Sequence, residues 1–472
     1  MIDNKVNLKN MNIHLMGIGG AGMSGLAKLL KQIGANVSGC DVINTSYTEK
    51  LKDENIPIET EHSPKHTEKF KTDILVYSSA IPLDHPEILR AWQDGLMVAR
   101  RAEILSIIFN ERHGVGVAGT HGKTTTSSMI ALVAELAGCD PTIAIGGEIS
   151  NIGTNAKLGK SDFMVAELDE SDRSFVYFHP EIAVITNIDW DHRDHYMTFK
   201  SVTDAFNEFL SNKKSGAKIV VCMEDAGIAS LISGYEINKD DIITYGFDSK
   251  YDWYATDIKH KVGGGVSYTL NHNGSEIGRI TLRVSGEHNV LNSLAACVAS
   301  FKMGISFENV TKGLFEFTGA KRRLQKTGEV DDILVYDDYG HHPNEIRATL
   351  NTIRHIFPSR RVIAVFQPHR FSRTAALYKE FAEALSLADF AFILPVFASD
   401  ENPIEGVTSK LIFDAASEDS KSHYELSENF DELVSSACKI AEKGDLILTI
   451  GAGSVWTLSK KIFDTLSNIN KQ

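Results

Sequence analysis

"GVAGTHGKTTTSSMIALVAEL", residues 116–136, runs from a short apolar strand through a glycine loop into a long helix. Lys123 and Thr124 stand at the junction of loop and helix. This is the layout of a phosphate loop. Backbone N–H groups of the loop and helix start wrap phosphate oxygens, a lysine bridges to the β- and γ-phosphates, and a hydroxyl ligates Mg²⁺. The spacing Gly119-x-x-Gly122-Lys123-Thr124 is two residues shorter than the common G-x-x-x-x-G-K-[ST] form. The strand before, the helix after and the run Thr124, Thr125, Thr126 carry the nucleotide reading, and with it an α/β fold and ATP as a ligand.

Upstream lies a second glycine loop, "HLMGIGGAGMSGLAKLL", residues 14–30, with Gly17, Gly19 and Gly22 spaced G-x-G-x-x-G. A strand (13–16) leads in, an amphipathic helix follows, and Asp41 ends the next strand-like stretch, "NVSGCD". The fingerprint encodes a tight turn, close backbone approach to phosphate and a helix N-terminus aimed at negative charge. None of this requires a nicotinamide. With ATP chemistry supplied at 119–126, the first loop is best read as the cradle of a second nucleotide's diphosphate.

Downstream, two strands end in carboxylates. "VAELDESD" (165–172) supplies Glu167, Asp169, Glu170 and Asp172. "TNIDWDHRDHY" (186–196) supplies Asp189, Asp191, His192, Asp194 and His195. Two acidic strand ends after one phosphate loop suit one or two Mg²⁺ ions held through oxygen ligands.

Composition bounds the alternatives. A chain of 472 residues fits roughly three domains. Its 43% apolar and 23% charged residues are those of a soluble globular protein. A net charge of −14 argues against a general nucleic-acid binder. Five scattered cysteines without a C-x-x-C read as reduced thiols. The N-terminus has no apolar signal-peptide core and no run is long enough to span a membrane, so the expected location is the cytoplasm.

Three alternating units follow along the chain, with boundaries near 110 and 320: residues 1–110, 111–320 and 321–472. A helix is expected over 100–114, ending at Gly114. Residues 251–285 alternate polar and apolar residues around Gly-rich and Asn-Gly turns, which predicts antiparallel hairpins. A helix is expected from about Asn289 to Met303. The third unit has the strands "ILVYDDY", "RVIAVFQP", "DFAFILPVF" and "DLILTIGAG".

Taken together, "GIGGAGMSG", "GTHGKTTT", "AELDESD", "TNIDWDH", "GEHNVLN", "DDYGHHP" and "FQPHRFSRT" resemble the Mur ligases through nearly the whole chain. These are the ATP-dependent amide-forming enzymes of peptidoglycan precursor synthesis. The resemblance implies a Rossmann-like UDP-sugar domain, a central ATPase domain with a small antiparallel portion, and a Rossmann-like C-terminal domain for the amino acid. The forms of the first loop and of "DDYGHHPNE" point within the family to the addition of L-alanine to the lactyl carboxylate of UDP-N-acetylmuramate, through an acyl phosphate.

The roles implied by matching motifs are these. Gly119, Thr120, His121, Gly122, Lys123, Thr124 and Thr125 would hold ATP. Thr124, Glu167 and His192 would hold Mg²⁺. In "GEHNVLN", His288, Asn289 and Asn292 open a helix; Asn289 and Asn292, one helical turn apart, would offer amides to adenine, and Asp338 would meet the ribose. Gly17, Gly19, Gly20, Ala21, Gly22, Met23, Ser24 and Ser79 would hold the UDP-sugar. Arg322 or Arg323 stands where the family places an arginine reaching the γ-phosphate, and Arg323 enters the candidate set. Tyr339, His341, His369, Arg370 and Arg373 would face the substrate's anionic groups and the incoming alanine. Lys200 lies too close to "TNIDWDH" to match the carbamylated lysine of several relatives. The alternatives are a recycling ligase that joins a murein tripeptide to the same UDP-sugar, a nicotinamide-dependent oxidoreductase, and a nucleotide-binding regulatory protein without transferase chemistry, which would not need the His369, Arg370 and Arg373 cluster or Tyr339 and His341. The oxidoreductase reading leaves the phosphate loop and its acidic strand ends unexplained.

Overall fold

In the computed structural model, residues 6–191, 195–320, 322–399 and 401–469 are described. They build three sheets, each with candidate site residues of its unit at or just beyond the C-terminal ends of its parallel strands. The first sheet has five parallel strands in the order Ile58–Glu59, Asn36–Cys40, Asn12–Met16, Ile74–Tyr77, Met97–Arg100. The chain order reverses between Asn12–Met16 and Ile74–Tyr77. The glycine loop after Met16 therefore opens at the switch point, where α/β sheets place ligands.

The second sheet has ten strands. Its centre is the strand His113–Ala118, flanked in parallel by Ile182–Ile185 and Phe163–Glu167, so both acidic strand ends lie beside the phosphate loop. The expected hairpins form its far edge: Trp253–His260, Val266–His272 and Ser275–Leu282 pair antiparallel. The second turn places Asn273 and Gly274 at φ +47° and +81°, the left-handed pair that a two-residue hairpin favours. The third sheet is parallel apart from its edge strand Gln325–Val330, with Ile333–Asp338, Leu446–Ile450, Val362–Phe366, Phe390–Ile393 and Tyr424–Leu426 following in that order.

Two expectations shift. The helix after the first unit spans Arg101–Asn110, and Gly114 lies inside the next strand. A Cβ at Gly114 would sit 2.4 Å from the Phe109 ring, so this glycine serves close packing and does not stop a helix. The helix placed at Asn289 begins at Glu287 and ends at Lys302.

Packing separates the units unequally. One continuous apolar core runs through the first and second sheets, while the third has its own clusters on either face. Helix Ala21–Ile33 of the first unit lies directly on the central sheet: a Cβ at Gly25 would sit 3.1 Å from Ala156 Cβ. Among the described residues no helix is long and apolar enough to cross a membrane.

Candidate active site

The phosphate loop is held in shape from its side. Gly122 turns at φ +81°, where a side chain would be strained. Thr186 Oγ1 donates to His121 O at 2.6 Å, and Asn187 brackets the same residue, donating from Nδ2 to His121 O and accepting from His121 N, each at 2.8 Å. A Cβ at Gly119 would lie 2.2 Å from Thr186 Oγ1. The strand end "TN" thus positions the loop.

Lys123 Nζ donates to Gly119 O at 2.6 Å, Thr120 O at 3.2 Å and Glu170 Oε2 at 2.6 Å. Glu170 is buried, and its Oε1 accepts no hydrogen bond among the described residues. Burial pushes its carboxyl up to about 7 against the pull of Lys123. Thr124 Oγ1 donates to Glu167 Oε1 at 2.9 Å, and Glu167 Oε2 accepts from Gly146 N at 2.7 Å. Two hard oxygens facing each other at a helix N-terminus suit Mg²⁺. His192, expected as a further ligand, lies outside the described residues.

Thr125 and Asn292 are both buried. Asn292 Oδ1 accepts from Thr126 Oγ1 at 3.2 Å, and its Nδ2 donates to Asn289 Oδ1 at 3.2 Å. Asn289 Nδ2 in turn donates to Ser285 O at 2.7 Å. The two asparagines do share a face, but in this structure their amides face each other and brace Gly122.

The third unit closes the site through the loop and helix after Asp338. Glu345, absent from the expected residues, is its hub. Glu345 Oε2 accepts from His341 N at 2.9 Å and His342 N at 3.2 Å, while Oε1 lies 3.2 Å from His121 Nδ1 and 3.6 Å from Arg323 Nη1. Burial pushes the Glu345 carboxyl up, but His341, His121 and Arg323 outweigh it and hold it well below the usual range. Its signal was in the sequence: His342-Pro343-Asn344-Glu345 starts helix Pro343–Ile356 as a capping box, with glutamate at the third helical position.

His121 bridges the units. Burial opposes its charge, yet Asp189 and Glu345 raise it to about 9, so it is an imidazolium at neutral pH. Its partner Asp189, which also accepts from Asn344 Nδ2 at 2.7 Å, is lowered to about 2, chiefly by His121. His341 and His369 behave oppositely: burial pushes each down to about 3, leaving neutral rings 5.8 Å apart. His288 is likewise lowered by burial, to about 4.

Arg322 and Arg323 separate cleanly. Arg322 donates to Asp337 Oδ2 at 2.9 Å and Gly451 O at 2.6 Å, which ties it within the third unit. Arg323 faces Glu345 and feels the charges of Asp338 and Glu167. Both guanidinium groups flank the Tyr339 ring, at 5.0 and 5.3 Å.

Asp338, expected at the ribose, accepts from Leu324 N at 2.7 Å, Gly340 N at 2.8 Å and Thr349 Oγ1 at 3.2 Å; its carboxylate organises the loops on either side. Arg373, expected at the substrate, donates through Nε (3.1 Å) and Nη2 (3.0 Å) to Asp191 of the central unit. Its remaining Nη1 lies 3.3 Å from His369 Nδ1. Arg370, with φ +70°, precedes the helix Phe371–Leu385 and lies 3.9 Å from Glu401.

At the first loop, Gly17 turns at φ +75°, and Gly20 begins helix Ala21–Ile33 with no side-chain cap, so the helix amides face outward. Asp41 Oδ2 accepts from Gly19 N at 2.8 Å, which settles the contact of that carboxylate. Arg101 lies against Gly22: a Cβ there would sit 3.2 Å from the guanidinium carbon. Arg101 adds a cation at the loop that the fingerprint does not announce. Met23 and Ser24 are buried, Ser24 Oγ donating to Ala21 O at 2.9 Å, so their side chains build the loop from beneath. Ser79 is exposed just beyond strand Ile74–Tyr77. Strand Thr142–Ile149 touches both units: Gly146 N donates to Glu167 beside the phosphate loop, and Glu148 Oε2 accepts from Lys50 Nζ of helix Ser46–Asp53 in the first unit at 2.8 Å.

Three family models match the chain in succession: the Mur ligase family catalytic domain over residues 12–113, the Mur ligase middle domain over 117–300 and the Mur ligase glutamate ligase domain over 322–453. A UDP-N-acetylmuramate–L-alanine ligase of Syntrophobacter fumaroxidans is 41% identical over 462 residues, 97% of this chain and 96% of that one. One from Dictyoglomus turgidum is 42% identical over 457 residues, 96% of this chain and 97% of that one. The crystal structure of the UDP-N-acetylmuramate–alanine ligase of Thermotoga maritima superposes with a TM-score of 0.81 at 28% identity, covering 97% of this chain and 100% of that one.

Proposed function

The chain belongs to the Mur ligase family, and on that footing we propose that it joins L-alanine to the lactyl carboxylate of UDP-N-acetylmuramate at the expense of ATP, in the cytoplasm. The observation that carries this reading is that the phosphate loop of the central unit, with Lys123 on Glu170 and Thr124 on Glu167, meets Glu345 and Arg323 of the third unit through the His121–Glu345 contact. Residues 1–110 would bind the UDP-sugar, 111–320 ATP and 321–472 the amino acid.

A carboxylate is inert to amines because its oxygen is a poor leaving group. Its attack on the γ-phosphorus breaks the bond to the β-phosphate oxygen and releases ADP, giving an acyl phosphate. The alanine nitrogen then attacks the carbonyl carbon and expels phosphate, leaving the amide. Lys123 would exchange its carbonyl contacts for phosphate oxygens, with Glu170 keeping the ammonium oriented. Thr124 and Glu167 would hold Mg²⁺, which when bound offsets charge on the transferring phosphoryl group. Arg323, and not Arg322, is assigned to the γ-phosphate, since Arg322 is committed to Asp337 and Gly451. The neutral rings of His341 and His369, which burial makes weak bases, would accept a hydrogen bond from the alanine nitrogen and aim it at the carbonyl carbon, while the proton that the ammonium must lose passes to solvent. Arg373 is assigned to holding the units together.

The test follows phosphate release from ATP and Mg²⁺ with UDP-N-acetylmuramate and single amino acids. Release with L-alanine is expected. No release with L-alanine, glycine or L-serine overturns the reading, and release only with the murein tripeptide reassigns the chain to recycling.

A further inference from the structure

A second cluster of titratable side chains lies away from this site, beneath the first sheet. His14 comes from strand Asn12–Met16, Cys40 ends strand Asn36–Cys40, His66 begins the short helix His66–Lys69, and Glu87 sits in the first turn of helix Pro86–Gln93. His14, Cys40 and Glu87 are 0% exposed and His66 is 3% exposed. Their donor atoms lie within 4.8 Å of one another. From Glu87 Oε1, His66 Nδ1 is 3.2 Å, His14 Nε2 3.3 Å and Cys40 Sγ 3.9 Å away.

Those spacings approach the edges of a metal tetrahedron. Bonds of about 2.0–2.3 Å to N, O and S ligands give edges of roughly 3.3–3.6 Å. The orientation of His14 makes the same point. Its Nε2 makes no hydrogen bond among the described residues, although Glu87 Oε1 is within 3.3 Å. The distance is met and the angle is not, as happens when two lone pairs aim at a shared point instead of at each other. An outer set of bonds fixes the ligands: His14 Nδ1 pairs with Ser38 Oγ at 2.9 Å, and Glu87 Oε2 accepts from Ser63 N at 2.9 Å. Such contacts orient imidazole and carboxylate ligands in metal sites.

We propose that His14, Cys40, His66 and Glu87 form a binding site for a divalent cation of the zinc class. One thiolate and one carboxylate balance a dication, two neutral imidazoles complete four-coordination, and the sulfur and nitrogen donors select against Mg²⁺. Cys40 binds as the thiolate, its proton passing to solvent. The ion ties two helices to the sheet one residue before Asp41, the carboxylate that holds Gly19 N. The site is therefore a staple beneath the first glycine loop and takes no part in phosphoryl transfer.

The test uses the full chain, stripped with a chelator and titrated with Co²⁺. A near-ultraviolet thiolate-to-cobalt band saturating at one equivalent, displaced by Zn²⁺, is expected. Cobalt held by His121, Asp189 and His342 gives no such band, since no cysteine is among them. Cys40→Ser should abolish the band and Cys139→Ser should leave it. His66→Asn, at the edge of the cluster, should weaken cobalt affinity at least tenfold while keeping the fold, read by circular dichroism. Absence of the band from the wild-type chain, or its persistence in Cys40→Ser, overturns the proposal and leaves the cluster a hydrogen-bonded network.

Discussion

Replacing Asp191 or Arg373 tests whether one buried ion pair docks the third unit onto the second. Arg373 reaches Asp191 with two donors, at 3.1 and 3.0 Å, and the side chains are 5% and 7% exposed. A bidentate guanidinium–carboxylate pair shielded from water is among the stronger polar contacts. Removing one partner of such a pair costs about 3–5 kcal/mol, because the other charge loses its bidentate contact in a place shielded from water. Arg373→Met strips every donor and belongs in that range. Asp191→Asn keeps the shape and one acceptor, so about 2–3 kcal/mol is expected. Because the partners sit in different units, the loss should fall on docking and spare the folding of either sheet. Hydrogen exchange of the first turn of helix Phe371–Leu385 and of residues 187–191 reads it directly, in the two single variants and the double. A coupling of about 1.5 kcal/mol or more is expected, with the double variant no worse than Arg373→Met. Costs that add to within about 0.5 kcal/mol would refute docking by this pair. So would an Arg373→Met variant with raised KM for alanine or UDP-sugar beside an unchanged Asp191→Asn, since Arg373 would then be serving substrate.

Three further outcomes are expected. Lys123→Ala should lower kcat by about a hundredfold or more, measured as phosphate release, with the UDP-sugar still bound. His121 has a folded pKa of about 9, above its ordinary 6.5. Its contribution to stability, at most about 3 kcal/mol, is fully present below pH 6.5 and is lost as pH rises through 9. Thermal melts from about pH 6 to pH 10 should therefore fall more steeply for the wild type than for His121→Gln; parallel curves would exclude a charged His121. At the first loop, a Cβ at Gly19 would lie 2.8 Å from Asp41 Oδ2 and 2.9 Å from Thr48 Cγ2. Gly19→Val and Arg101→Met should both weaken UDP-sugar binding by calorimetry while sparing nucleotide binding.

The two glycine loops were legible because a glycine at a fixed offset records a backbone conformation, and the strand and helix around it are local signals. Gly114 was misread for the same reason in reverse. A glycine after a helix reads as a stop, and only the Phe109 ring packed against it shows the other cause. Strands Ile58–Glu59 and Tyr424–Leu426 are too short to show a period. Asn289 and Asn292 were rightly placed on one face, but sequence gives no means of knowing that their amides would bond each other and Ser285. Glu345 and Arg101 escaped as site members because their partners His121 and Gly22 lie far along the chain, and Asp191, read only as part of an acidic strand end, gave no sign that it would pair with Arg373. Of these only Glu345 left a local trace, through its capping box.

The unequal packing of the three units decides which of them moves. The first unit shares an apolar core with the second, a contact that is non-directional and insensitive to charge. The third meets the second through His121 with Glu345, Asn344 with Asp189 and Arg373 with Asp191. Polar interfaces between domains permit relative motion, and these same groups surround the phosphate loop. An arriving polyphosphate competes with the Gly119 and Thr120 carbonyls for Lys123 and with Glu345 for Arg323, and Glu345 is the group that meets His121 across the seam, so it disturbs a bond that holds the third unit while leaving the first unit's apolar seam untouched. Hydrogen exchange with and without ADP should change more at residues 339–342 and 369–373 than where helix Ala21–Ile33 meets strand Thr154–Lys157. Equal changes at both seams would show that the first unit moves as freely, and that charge at the loop does not govern closure.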